Sequence, residues 1–116
     1  MTRIVIAGLQ KERIERCVRE AGGDRVEVLV TSDMDAANRV KTGLADYYIG
    51  ACNSGGGAAL AMAIALLGYN RCATVKPDQQ KIASLVGGGT VAFGIAEESI
   101  EFAVPLIVSA MLDSAR

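Results

Sequence analysis

The chain has 116 residues, of which 51% are hydrophobic and 22% charged, and its 12 basic and 13 acidic side chains leave a net charge of −1. That length holds one domain, residues 1–116, and that balance excludes both a disordered chain and the basic excess of a nucleic-acid reader. The sequence has no His and no Trp, which removes the commonest general base, the commonest zinc ligand and the usual platform for stacking bases.

Short β-branched runs alternate with helical patterns along the whole chain. A strand is expected at Arg3–Ala7. A helix follows, with Ile14, Cys17, Val18 and Ala21 on one face and Gly22-Gly23 as its stop. The second strand is Val26–Thr31. Ser32 then opens a helix, with Asp35 at capping-box spacing, that runs to Gly43. The third strand, Asp46–Ala51, leads into the glycine-rich segment Cys52-Asn53-Ser54-Gly55-Gly56-Gly57 and a helix at Ala58–Leu67. A fourth strand is Arg71–Val75. Lys76-Pro77-Asp78 leads into a helix with Ile82, Leu85 and Val86 on one face, stopped by Gly87-Gly88-Gly89. The fifth strand is Val91–Ile95. A last helix, about Glu97–Asp113, carries Ile100, Ala103, Val104, Ile107, Val108, Met111 and Leu112 as an apolar stripe.

Five such units imply an α/β fold: one doubly wound, five-stranded parallel sheet of the Rossmann or flavodoxin-like kind, helices on both faces, strand order 2-1-3-4-5. Two features stand out. The third helix is apolar all round, so the side turned from the sheet is expected to meet another subunit. The fifth carries Pro105, which costs about 3 kcal/mol inside a helix. A bend that wraps a partner is one account of it, and a break in the helix is the other. A homo-oligomer joined through helices three and five is the expectation.

Cys17, Cys52 and Cys72 are odd in number and lack a C-x-x-C spacing, so neither a disulfide framework nor a zinc cluster is expected. No cofactor or metal is expected. The opening Met1–Gly8 is strand-like and too short for the apolar part of a signal peptide. The longest charge-free apolar stretches, within Gly55–Gly68 and Phe102–Leu112, fall short of the roughly 20 residues that span a bilayer. The expectation is a cytoplasmic protein that binds neither nucleic acid nor membrane.

In an open parallel sheet, ligands sit beyond the C-terminal strand ends where the winding reverses, here between strands one and three. The loops that meet there are Gly8-Leu9-Gln10 and Cys52–Gly57, the latter the glycine-richest of the chain. Unpaired amides of Ser54, Gly55, Gly56 and Gly57 at a helix start favour an anion, and glycines let the main chain approach it closely. Asn53 and Ser54 add an amide and a hydroxyl. Cys52 precedes these donors, where a thiol's pKa tends to fall, which makes it the candidate base or nucleophile; the competing reading, and the commoner one for a buried cysteine, is a small hydrophobe without chemistry. Lys76, at the end of strand four, is a candidate to reach that crevice, and a solvated loop lysine is the competing and favoured reading. The ligand expected is a small phosphorylated or carboxylated metabolite. The competing reading is a tight turn that only lets the third helix pack closely. Cys17 and Cys72 read as core, Tyr47 and Tyr48 as facing opposite sides of the sheet, and Glu97 and Glu98 as acids favoured at a helix start.

The run from Ala45 to Ala59, Ala45-Asp46-Tyr47-Tyr48-Ile49-Gly50-Ala51-Cys52-Asn53-Ser54-Gly55-Gly56-Gly57-Ala58-Ala59, resembles the small bacterial YhfU-like family, a domain of unknown function. So do Ile6-Ala7-Gly8-Leu9-Gln10 and Val91-Ala92-Phe93-Gly94, and the resemblance spans nearly the whole chain. Lys41-Thr42-Gly43-Leu44-Ala45-Asp46 followed by Cys52-x-Ser54-Gly55-x-Gly57 is similar to the core of the type B ribose-5-phosphate isomerases. That likeness implies a dimer, Cys52 as the base that shuttles a proton between sugar carbons, and Ser54, Gly55 and Gly57 around the developing enediolate. The Asp-His pair of their first loop is replaced here by Gly8-Leu9-Gln10. The alternatives are a domain similar to the IIB phosphotransferase-system type, with a phosphocysteine at Cys52, and a non-catalytic subunit that binds a partner protein through helices three and five.

Overall fold

The computed structural model describes residues 1–52 and 57–114, with only the main chain at 57–59. The chain runs β1 (Thr2–Gly8), α1 (Lys11–Gly22), β2 (Val26–Val30), α2 (Asp33–Lys41), β3 (Tyr47–Cys52), α3 (Gly57–Leu67), β4 (Cys72–Thr74), α4 (Gln79–Gly87), β5 (Ala92–Ala96) and α5 (Ile100–Ser114). Local chemistry places the helix starts. The Ser32 hydroxyl accepts from the Asp35 amide at 3.2 Å and the Asp78 carboxylate from the Lys81 amide at 3.1 Å, each satisfying a donor that the first turn leaves unpaired. The Asp35 carboxylate does not complete a capping box; it takes the Thr31 hydroxyl and the Arg39 guanidinium, both at 2.7 Å. These two partners hold the Asp35 carboxyl below the usual range. α5 runs through Pro105 as one helix, with the proline on its exposed side.

All strand pairs are parallel, and the order is β2-β1-β3-β5-β4. The doubly wound class is as the alternation implies, but the last two strands exchange places relative to the expected 2-1-3-4-5. The cause is burial. Ala92, Phe93, Gly94 and Ile95 are buried on both faces, as an interior parallel strand requires, whereas β4 has three residues, none of them buried. The chain therefore crosses past β5 to the edge and turns back. Its return helix lies on the other side of the sheet, as right-handed crossovers demand.

Two cores result. On one face Ile4, Ile6, Ile49, Phe93 and Ile95 meet α1, α4 and α5. On the other, Val5, Ala7, Tyr48 and Ala92 meet Ala36, Ala37 and Val40 of α2 and Leu60 and Ala63 of α3. Tyr47 and Tyr48 divide between them as period-two alternation dictates. Tyr47 stacks at a tilt on Phe93, with ring centroids 6.4 Å apart. Helices three and five thus stand on opposite faces, and no single flat surface can include both.

Candidate functional site

Gly8 is the last residue of β1 and lies opposite Ala51 of β3. Its φ is +90°, and a Cβ there would stand 2.7 Å from the Ala51 carbonyl oxygen and 3.1 Å from its nitrogen. Only glycine fits, on two independent counts. The next amide, of Leu9, donates to that same carbonyl at 3.1 Å. Gln10 then takes a left-handed conformation, φ 55°, rare for a residue with a side chain. Its carbonyl starts α1 by accepting from Ile14, but its side chain makes no capping bond. The first loop is thus pressed against the end of β3, with Leu9 and Gln10 exposed.

Cys52 ends β3. It is 8% exposed and is not in a disulfide. Alternation from Tyr48 sends its side chain toward the face covered by α2 and α3. Asn53, Ser54, Gly55 and Gly56 lie outside the described residues. Gly57 opens α3, so the sheet's C-terminal edge and a helix start are joined by those four residues. Nearby, the Tyr48 hydroxyl donates to Asp33 at 2.9 Å and anchors the start of α2 at the same edge. Burial, reinforced by the Asp33 carboxylate, pushes the Tyr48 hydroxyl far above its ordinary pKa, so it serves as a fixed donor.

The strand exchange changes what borders Cys52. Its partner in the ladder is Ala96 of β5, and the 3-10 turn Glu97–Ser99 follows directly. Lys76 is exposed, in the segment after β4, and β5 stands between it and Cys52. Two strand spacings, roughly 10 Å, separate β4 from β3. Arg13, which the sequence did not single out, donates to the Glu97 carbonyl at 3.1 Å and forks onto the Glu101 carboxylate at 2.9 and 2.6 Å. Reading β5 as interior from its unbroken apolar run would have brought this turn into view. Of the other cysteines, Cys17 is buried and Cys72 half-buried, and burial pushes both thiols up. Among the described residues, no three His, Cys, Asp or Glu side chains come together to hold a metal ion, and no helix is long and apolar enough to cross a membrane.

Residues 2–111 match the profile of a family described as "Protein of unknown function DUF2620". The chain is 43% identical over 114 residues to "Uncharacterized protein YhfU" of Escherichia coli strain K12, covering 94% of this chain and 97% of that one. The Shigella flexneri protein of the same description matches equally well. In three dimensions the fold is similar to ribose-5-phosphate isomerase B from Giardia lamblia (TM-score 0.75, 17% identity, 97% of this chain and 94% of that one). It is also similar to the type B ribose 5-phosphate isomerase of Trypanosoma brucei (TM-score 0.72, 23% identity, 97% and 86%). At such identities the likeness establishes a shared flavodoxin-like architecture.

Proposed function

We propose that this chain, which belongs to the DUF2620 family of proteins of unknown function, binds a small phosphorylated or carboxylated metabolite where β1 and β3 end. The observation that carries this reading is the junction itself. Gly8 is packed against Ala51 with no room for a side chain, Cys52 ends the neighbouring strand, and α3 begins five residues later at Gly57, the last of three consecutive glycines. A helix start at that edge offers unpaired amides and the positive end of a dipole to an anion. The proposed ligand contacts are Gly8, Leu9, Gln10 and the segment from Asn53 to Gly57. Lys76 would join them only through a ligand long enough to extend past the end of β5.

The architecture shared with the type B isomerases supports a sugar-phosphate type of ligand and Cys52 as the group that exchanges its proton. The chain has no His, so any such chemistry here runs without the imidazole that opens a sugar ring. A phosphocysteine carrier is the weaker reading, because the cysteine stands at the end of β3 rather than after β1.

A thermal-shift screen of sugar phosphates, nucleotides and carboxylates tests the binding. A ligand at one hundred times its Kd is expected to add about 2.7 kcal/mol, roughly 10 °C in melting temperature for a domain of this size. No stabilisation by any anion would remove the proposal. For the chemistry, the alkylation rate of Cys52 against pH decides: an ordinary thiol midpoint near 8.5 would leave binding without an activated thiolate.

We further propose a homo-oligomer built on α3. That helix has no polar residue, and Ala61 and Ala65 are exposed along it, with Tyr69 just beyond its end 76% exposed. Phe102, 70% exposed on α5, lies across the sheet from it and cannot share the same contact. Sedimentation velocity is expected to show a dimer or larger; a monomer at micromolar concentration would contradict it.

A further inference from the structure

Strand β2 ends the sheet, and β1 is its one neighbour among the described residues. The two edges of the sheet differ. β4 is three residues long, too short to template another strand. β2 carries five residues in unbroken register with β1 and contains neither a proline nor a lysine to discourage pairing. The Thr31 amide donates to the Ile6 carbonyl at 2.9 Å, so the main-chain groups of Glu27, Leu29 and Thr31 turn toward β1. Alternation turns those of Val26, Val28 and Val30 outward, away from the sheet. The side chains of these three valines pack on the core that meets α1 and α5. Glu27 and Leu29 stand on the other face, both exposed, Leu29 by 40%.

The run Val-Glu-Val-Leu-Val has the same valine pattern read from either end. A second copy laid antiparallel about Val28 sets valine opposite valine at every outward position: Val26 against Val30, Val28 against Val28, Val30 against Val26. Each pair exchanges both of its main-chain hydrogen bonds, and branched side chains in register are favourable cross-strand neighbours. On the other face Leu29 comes opposite Glu27 of the second copy. Arg25 comes opposite its Thr31, whose hydroxyl is bonded to the Asp35 carboxylate at 2.7 Å. A cation therefore meets an acid on each side of the axis. We propose that β2 pairs with β2 of a second copy of this chain across a twofold axis, giving one sheet continuous through both molecules. This contact is separate from the one proposed on α3, which packs over β3, β4 and β5.

Sedimentation velocity and thermal melts on the full chain test it. Ala65→Arg, on the exposed line of α3, serves as the background in which only the β2 contact remains. That variant is expected to be dimeric at micromolar concentration. Adding Leu29→Glu sets two acids opposite each other on both sides of the axis, and is expected to weaken association about tenfold or more. Adding Leu29→Lys sets a cation opposite Glu27, and is expected to hold the dimer at least as tightly as the background. Both changes fall on an exposed side chain and are expected to melt like the parent. Adding Val28→Pro deletes an outward amide that β1 does not use, and is expected to abolish association. A monomeric Ala65→Arg protein, or equal association of the Leu29→Glu and Leu29→Lys proteins, overturns the proposal. An Ala65→Arg dimer no smaller than the parent assembly supports the β2 contact and counts against the α3 one.

Discussion

Phe93→Ala is expected to destabilise the protein by about 4 kcal/mol, a fall of roughly 15 °C in melting temperature. Phe93 is wholly buried in β5, among the largest side chains of the core that faces α1, α4 and α5, and it carries the stacking contact with Tyr47. Its removal leaves a cavity that rigid strands on both sides cannot close. The size of the effect depends on β5 being interior. Thr74→Ala on β4 provides the contrast: Thr74 is exposed on an edge strand, and its loss is expected to cost about 0.5 kcal/mol. Chemical denaturation of the two variants reads the strand order directly. Equal costs would contradict an interior β5 beside an edge β4.

Gly8→Ala is expected to cost about 3 kcal/mol and to abolish anion binding. Two penalties combine at this residue. A φ of +90° strains any side chain, and the added Cβ meets the Ala51 carbonyl at 2.7 Å, a main-chain atom that cannot rotate away. Gly43 separates the two. Its φ is +82°, but nothing lies within 4 Å of a Cβ built there, so Gly43→Ala is expected to cost about 1 kcal/mol and to leave binding intact. Calorimetry measures the costs and the thermal-shift assay the binding. Equal destabilisation by both substitutions would show that contact with Ala51 is not what requires a glycine at the strand end.

Much of this architecture is legible in the residues. The β-branched runs, the Ser32 cap and the apolar stripe of α5 each give a local signal that tertiary packing reinforces. Tyr47 and Tyr48 divide between the faces because strand periodicity admits no other arrangement. The order of the last two strands was legible in kind but outweighed by the commoner topology: burial of Ala92–Ile95 on both faces, against three residues in β4, is a statement about neighbours that periodicity alone does not make. That exchange moved Lys76 away from Cys52 and put Ala96 and Glu97 in its place. The role of Arg13 is not legible in the sequence because its partners are 84 and 88 residues away, and a lone arginine in a charged first turn carries no local mark. The Gly8 contact is the opposite case: its place at the strand end was readable, whereas the crowding by Ala51 is a property of the assembled sheet.

The most direct measurement follows main-chain amide resonances while inorganic phosphate is titrated into isotopically labelled protein. Saturable shifts at Gly8–Gln10 and at Asn53–Gly57, with the amides of the α1 outer face unmoved, are the predicted result. Shifts confined to other surfaces, or a spectrum that phosphate leaves unchanged, would contradict an anion site at the β1–β3 junction.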